Sequence, residues 1–177
     1  MKDPLPSDGR IGNMSNHARP PRLSALIAAL GVAACSVSTP FSEPPHGMGA
    51  AAASDGDRAV VLSVTQITLK NDARSRAKFW RAVALIDETI ASQPGFVGYA
   101  KRRDLFGRNA WTVSVWSDVP SLAAFIRSDA HGRAMEDAAD TFADARFGRT
   151  TMPAKRLPPS WDEALLILER KARHYYE

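Results

Sequence analysis

The fold of this chain is decided by the stretch Trp111-Thr-Val-Ser-Val-Trp116-Ser-Asp-Val-Pro120-Ser-Leu-Ala-Ala-Phe-Ile-Arg-Ser-Asp-Ala-His131. Its first part places β-branched residues between two tryptophans, which is typical of a strand whose side chains alternate between faces. A polar turn follows, and proline in a first turn predicts that a helix begins near Pro120. The stretch therefore predicts a strand that passes directly into a helix, with Trp116 and His131 close together.

Outward from this stretch, strand and helix signals alternate along the chain. The predicted strands are 59–69, 96–103, 110–116 and one within 142–152, and the predicted helices are 73–92, one from about Pro120 that breaks at Ser128-Asp129, and 161–173. Ser160, with Glu163 three residues later, predicts a capping box at the start of the last helix. The order β-α-β-β-α-β predicts an α+β, ferredoxin-like unit with a C-terminal helical extension.

The predicted sheet leaves one of its faces without a partner. Four antiparallel strands with both helices on one side expose the opposite side, and an apolar sheet face needs cover. We therefore expect a homodimer in which two sheets face each other.

Composition excludes several classes of site. The formal charge is +4, and the only dense basic cluster is Lys101–Arg103, which is too short for a nucleic-acid groove. The single cysteine excludes a disulfide within the chain. The sequence has no phosphate-binding glycine loop, no nucleophile elbow and no metal-ligand spacing, so we expect neither nucleic acid nor a metal. Attraction to anionic small molecules or lipid headgroups stays open.

The N-terminal part resembles a bacterial lipoprotein signal. Arg19 and Arg22 precede the apolar run Leu23–Ala34, which is too short to span a bilayer and has the length of a signal-peptide core. The run ends at Val-Ala-Ala-Cys35, which resembles a lipobox, so residues 1–35 are interpreted as a signal peptide and Cys35 as the lipidation site. This places the protein in the cell envelope, anchored to the membrane. The alternatives are an extension of a cytoplasmic protein or a start assigned too far upstream.

Residues 36–57 are rich in Ser, Pro, Gly and Ala and are predicted to be a disordered tether. The folded domain is assigned to residues 58–157, and residues 158–177 form the C-terminal helix.

Four short motifs resemble the dimeric α+β barrel superfamily, which includes the antibiotic biosynthesis monooxygenases. They are Pro94-Gly-Phe96, the strand end 111–118, Leu122-Ala-Ala-Phe125 and Ser128-Asp-Ala-His131, and the resemblance covers about residues 58–157. It implies a dimeric barrel with a cleft in each subunit between the sheet and the second helix. Members of the superfamily oxidise aromatic polyketides without metal or flavin, bind and degrade haem, or act as binding modules.

Candidate site residues follow from this cleft. His131 is the candidate proton acceptor and Trp116 the candidate surface on which a planar substrate stacks. Ligand contacts are assigned to Ser114, Thr112, Phe125, Met135 and Tyr99. Several of these have a structural alternative: a helix-cap or surface histidine, a core or dimer-interface tryptophan, an ordinary strand tyrosine, or hydroxyls that are common on a half-buried sheet.

Two functions fit this site. The first is a monooxygenase-like oxidation of a planar aromatic or polyene-like molecule by dioxygen, without a bound organic cofactor. The second is a non-catalytic, membrane-tethered dimer that binds haem or another apolar ligand. The axial histidine of the haem-degrading branch falls at Met135 here, and its first-strand asparagine falls at Thr65, so haem is kept only as a possible ligand.

Overall fold

The computed structural model describes residues 35–44 and 55–174, so the predicted signal peptide lies outside the described residues except for Cys35. The strands are β1 (Ser36–Ser38), β2 (Ala59–Leu69), β3 (Phe96–Asp104), β4 (Asn109–Trp116), β5 (Phe142–Pro153) and β6 (Arg173–His174). The helices are α1 (Ala73–Thr89), α2 (Val119–Ile126), α3 (Asp129–Ala138) and α4 (Trp161–Lys171).

The strands form one antiparallel sheet in the order β1-β3-β4-β2-β5-β6. Its central part, β2-α1-β3-β4-α2/α3-β5, has the predicted β-α-β-β-α-β order, which confirms the α+β, ferredoxin-like fold. The last helix ends at Lys171 rather than near Arg173, and the residues after it form β6 on the edge of β5.

Helix starts follow the capping signals of the sequence. Asp72 and Asp118 each accept a hydrogen bond from a backbone N–H three residues later, which fixes the first turns of α1 and α2. The predicted break between α2 and α3 is confirmed, because the Ser128 side chain caps α3 by accepting from the His131 N–H at 3.3 Å. The predicted capping box of Ser160 and Glu163 is also present.

The alternation of side chains divides the sheet into two faces. Helices α1, α2 and α3 pack on the first, which we call the helix face; it carries Val61 and Trp116 at one end and Leu69 and Ala110 at the other. Helix α4 packs on the second, which we call the α4 face; it carries Val60, Leu62, Val64, Val113 and Val115.

The α4 face corrects one sequence prediction. We expected this face to be bare, but Ala164 and Leu168 of α4 are buried against it with 0% and 2% of their surface exposed. A C-terminal helix with an apolar stripe supplies within the chain the cover that we had assigned to a second copy. The homodimer stays a prediction, but a bare face is no longer the reason for it.

The segment 36–44 is a second correction, because it is part of the sheet and not a disordered tether. Residues of β1 pair with Arg102–Asp104 of β3, and Ser42 exchanges backbone hydrogen bonds with Tyr99 at 2.8 and 3.0 Å. Phe41 packs on the core of the α4 face over Gly98. Composition missed this because backbone pairing with an edge strand and one aromatic contact suffice to order a short polar segment. Residues 45–54 of the predicted tether lie outside the described residues.

Candidate functional site

The middle of the helix face is lined with hydroxyl groups. Ser63 of β2 pairs with Ser114 of β4, and two residues further along β2, on the same face, Thr65 pairs with Thr112. These four residues, the hydroxyl patch, lie between the apolar cluster around Trp116 and the apolar cluster around Leu69. Ser63 is 9% exposed, while the other three are half-buried, so solvent reaches part of the patch.

Helices α1 and α3 both contact the apolar clusters that flank the hydroxyl patch. Ile86 of α1 packs against both apolar clusters, so it bridges the gap in which the patch lies. His131 and Met135 are one helical turn apart on α3 and therefore share a face of that helix. His131 contacts Phe125 of the first cluster and Met135 packs on the second, so this face of α3 also spans the gap. Side chains of both helices therefore reach the two clusters between which the hydroxyl patch lies.

Trp116 does not line this site as the sequence analysis expected. Its side chain has 0% of its surface exposed and packs between two phenylalanines. The Phe125 ring stacks on it at 4.9 Å between centroids, and the Phe96 ring meets it edge-on at 5.5 Å. A planar substrate could stack on Trp116 only by displacing one of these rings. The structure therefore assigns Trp116 and Phe125 to the core.

Trp116 nevertheless contacts the patch through its indole nitrogen. Its Nε1–H donates to Ser114 Oγ at 3.0 Å. Because this bond uses a lone pair of Ser114, the Ser114 hydroxyl keeps its own proton to donate. Trp116 thus positions the Ser114 hydroxyl of the hydroxyl patch.

His131 is half-buried at the start of α3, with its ring against Phe125. Burial lowers the pKa of its imidazole below the usual value, and a hydrogen bond with the Ile126 backbone partly opposes that shift. The imidazole is therefore neutral at neutral pH, which is the form that accepts a proton. Ser128 caps the helix by accepting from the backbone N–H of His131, and the His131 ring takes no part in this cap. The helix-cap alternative therefore explains the main chain of His131 and not its imidazole.

Tyr99 is the residue whose predicted role the structure changes most. Its hydroxyl donates to Asp87 Oδ1 of α1 at 3.0 Å, and the ring is 8% exposed. Burial and the Asp87 carboxylate strongly raise the pKa of the phenol, so it stays protonated. Lys101 forms an ion pair with the same carboxylate. Tyr99 therefore joins β3 to α1 and does not offer its hydroxyl to a ligand.

Of the predicted site residues, Ser114 and Thr112 belong to the hydroxyl patch, and His131 and Met135 lie on α3 against the clusters that flank it. Ser63 and Ile86 were not predicted as site residues from the sequence, and Thr65 was named only as the counterpart of an asparagine. The hydroxyls of β2 are visible in the sequence, but their pairing with β4 depends on the register. Ile86 lies within the predicted helix 73–92, but only the structure shows that it packs against two clusters.

Comparison with known proteins finds no matching family model and no matching curated protein. Solved structures do match. A provisionally named monooxygenase from Lactobacillus acidophilus NCFM is 17% identical at a TM-score of 0.46, with 55% of this chain and 48% of that one covered, so this chain spans about half of it. SnoaB, a cofactor-independent oxygenase from Streptomyces nogalater, is 18% identical at 0.41, with 57% and 98% covered. A dimeric protein of unknown function and ferredoxin-like fold from Bacteroides fragilis is 12% identical at 0.40, with 53% and 95% covered.

The described residues contain neither a candidate metal site nor a membrane-spanning helix. No group of three or more His, Cys, Asp and Glu side chains there could hold a metal ion. No helix of the described ranges is long and apolar enough to cross a bilayer.

Proposed function

We propose that this protein is a monooxygenase-like enzyme that oxidises a planar aromatic or polyene-like molecule with dioxygen over the hydroxyl patch. The observation that carries the proposal is the half-buried position of His131 on α3, where its ring lies against Phe125 in one of the clusters that flank the patch and burial lowers its pKa. A neutral imidazole next to apolar side chains can accept a proton from a weakly acidic C–H group of a bound substrate. The hydroxyls of Ser114 and Thr112 can donate to an oxygen on which the resulting negative charge is delocalised.

The chemistry balances without an external reductant. A substrate methylene between two conjugated groups loses one proton to His131, and the carbanion adds dioxygen to give a peroxide. Loss of the second proton from that carbon, with cleavage of the O–O bond, leaves a carbonyl. The other oxygen leaves as hydroxide and takes up a proton to become water. All four electrons that reduce dioxygen come from the substrate methylene, so His131 needs only to accept and return protons.

The test is oxygen consumption by the full chain with an anthrone, a tricyclic ketone that has an acidic methylene. We expect a saturable rate above the enzyme-free rate, and a quinone spectrum in the product. His131→Ala should lower kcat/KM by at least about a hundredfold, the usual contribution of a general base. His174→Ala is the matched control, because His174 is an exposed histidine on the edge strand β6. Equal rates for the two variants would remove His131 from the reaction.

A non-catalytic module is the second candidate, and the exposure of Cys35 favours it. A lipid on that residue would tether the domain to a membrane, where a binding role for haem or another apolar ligand fits better than polyketide oxidation. A hemin titration of the full chain separates the candidates. A stable, saturable Soret band without oxygen consumption supports binding alone, whereas a band that decays under air and reductant indicates haem oxidation.

We also propose that Cys35 is lipidated and that the protein forms a homodimer. Membrane fractionation of cells that express the wild type and Cys35→Ser tests the first, since the variant should leave the membrane fraction. Sedimentation velocity of the purified chain tests the second. A monomer at micromolar concentration would contradict the dimer.

A further inference from the structure

The tip of the β3–β4 hairpin exposes an unusual amount of apolar surface. Phe106 is 90% exposed and Leu105 is 47% exposed, and Val37 on the adjacent strand β1 is 45% exposed. The three side chains lie at the same end of the sheet, because β1 pairs with the last residues of β3. Exposed large apolar side chains grouped in this way indicate an interaction surface.

Basic and aromatic side chains flank this tip. Arg76, Arg103 and Arg108 line a small depression of about 30 Å³ beside the hairpin, together with Trp80. The Arg103 guanidinium lies over the Trp80 ring at 5.8 Å. Asp104 also borders the depression, but its carboxylate accepts hydrogen bonds from the Asn109 backbone and side chain and so stabilises the turn. With three arginines and one carboxylate, the lining of the depression carries a net positive charge.

The chain also enters the domain at this end. The Leu105 backbone N–H donates to the Cys35 carbonyl oxygen at 2.8 Å, so Cys35 lies beside the hairpin tip. Its side chain is exposed. Any lipid attached there would start next to Phe106.

We propose that the hairpin tip docks on the surface of an anionic phospholipid bilayer. Phe106, Leu105 and Val37 would enter the boundary between headgroups and acyl chains, and the arginines would bind lipid phosphates. A protruding apolar tip bordered by arginine and tryptophan matches the layered polarity of a membrane interface. The domain then lies against the membrane in a fixed orientation rather than moving freely on a tether. This inference is independent of the proposed oxidation.

The first test measures binding of the full chain with Cys35→Ser to vesicles of phosphatidylcholine with phosphatidylglycerol. Phe106→Ser should weaken binding about tenfold, the loss expected for one buried aromatic side chain. Arg76→Gln and Arg103→Gln should each weaken it about fivefold and reduce its salt dependence. Val119→Ser is the matched control, since Val119 is 57% exposed at the start of α2, outside the hairpin tip. All variants keep the same N-terminal segment, so their differences report the domain alone.

The second test locates the contact directly. An environment-sensitive dye is attached through Phe106→Cys or Val119→Cys in the Cys35→Ser background. On addition of anionic vesicles, emission should rise and shift to the blue at position 106 and stay unchanged at position 119. Equal responses at the two positions, no response at position 106, or equal binding of Phe106→Ser and Val119→Ser would overturn the proposal. Equal binding to vesicles of phosphatidylcholine alone would overturn the role of the arginines.

Discussion

The imidazole of His131 lies edge-on against the ring of Phe125, with 5.0 Å between centroids and 68° between planes. Phe125 in turn stacks on Trp116, which is fully buried. The three rings connect the start of α3, the end of α2 and the end of β4. The imidazole that we assign to proton transfer is therefore held in place by core residues. The same packing shields part of it from solvent.

This contact predicts a pH dependence of stability. The pKa of His131 is lowered in the folded chain, so below about pH 6.5 the unfolded chain binds a proton before the folded one does. The contribution of His131 to the free energy of unfolding is therefore intact above that pH and is lost as the pH falls toward the lowered pKa. Urea unfolding at about pH 7.5 and pH 5 should show a smaller loss in His131→Phe than in the wild type.

The control for this experiment is Arg133→Gln, an exposed position on the same helix. It changes the charge of α3 without altering the half-buried imidazole, so its pH dependence should match that of the wild type. An unchanged slope in His131→Phe would show that protonation of His131 does not destabilise the fold.

A second prediction contrasts two phenylalanines of opposite burial. Phe125 is 8% exposed and Phe106 is 90% exposed. Phe125→Ala should lower the free energy of unfolding by about 3–5 kcal/mol, because it leaves a cavity beside Trp116. Phe106→Ala should change it by less than about 0.5 kcal/mol. Denaturant titration of both variants measures this, and similar losses would contradict the assignment of Phe125 to the core.

A third prediction tests the cover of the sheet by α4. Leu168 is 2% exposed against the α4 face, and Leu166 on the same helix is 41% exposed. Leu168→Ala should lower the free energy of unfolding by about 2–5 kcal/mol, and Leu166→Ala should lower it by clearly less. If Leu168→Ala were as mild as Leu166→Ala, the helix would not be docked on this face in solution.

The order of the strands and helices could be predicted from local signals. A few neighbouring residues are enough to encode the spacing of hydrophobic side chains, the helix cap at Ser160 and the helix break at Ser128. The site could be predicted only in part. Ser114 and Thr112 were assigned from the alternation of one strand, but Ser63 needed the pairing of β2 with β4. The burial of Trp116 depends on Phe125 and Phe96, which are distant in sequence from each other, and a lone aromatic residue does not reveal its partners.

The contacts that segment 36–44 and helix α4 make with the sheet were the hardest feature to predict from the sequence. The last helix was predicted from its capping box, but nothing local specified which surface it covers. The polar segment 36–44 was judged by composition, and composition does not register backbone hydrogen bonds with an edge strand. Both errors concern contacts between elements far apart in the chain.

A fourth prediction concerns the order of this N-terminal segment. A Cβ on Gly98 would lie 2.2 Å from Phe41 Cζ, so Gly98→Ala must push the Phe41 ring off β3. We expect a loss of about 1–3 kcal/mol, the usual cost of overpacking. Amide exchange should also accelerate at Ser42, whose N–H donates to the Tyr99 carbonyl at 2.8 Å in the intact structure.

A double-mutant cycle isolates this contact from other effects of the new methyl group. In a Phe41→Ala background the ring is absent, so adding Gly98→Ala should cost less than about 0.5 kcal/mol. The difference between the two backgrounds is then the coupling between Gly98 and Phe41. Equal costs in both backgrounds would show that Phe41 does not pack on β3 in solution and that residues 36–44 behave as the tether that their composition suggests. A large coupling would instead establish them as a strand that covers the edge of β3, next to the hairpin that we place on the membrane.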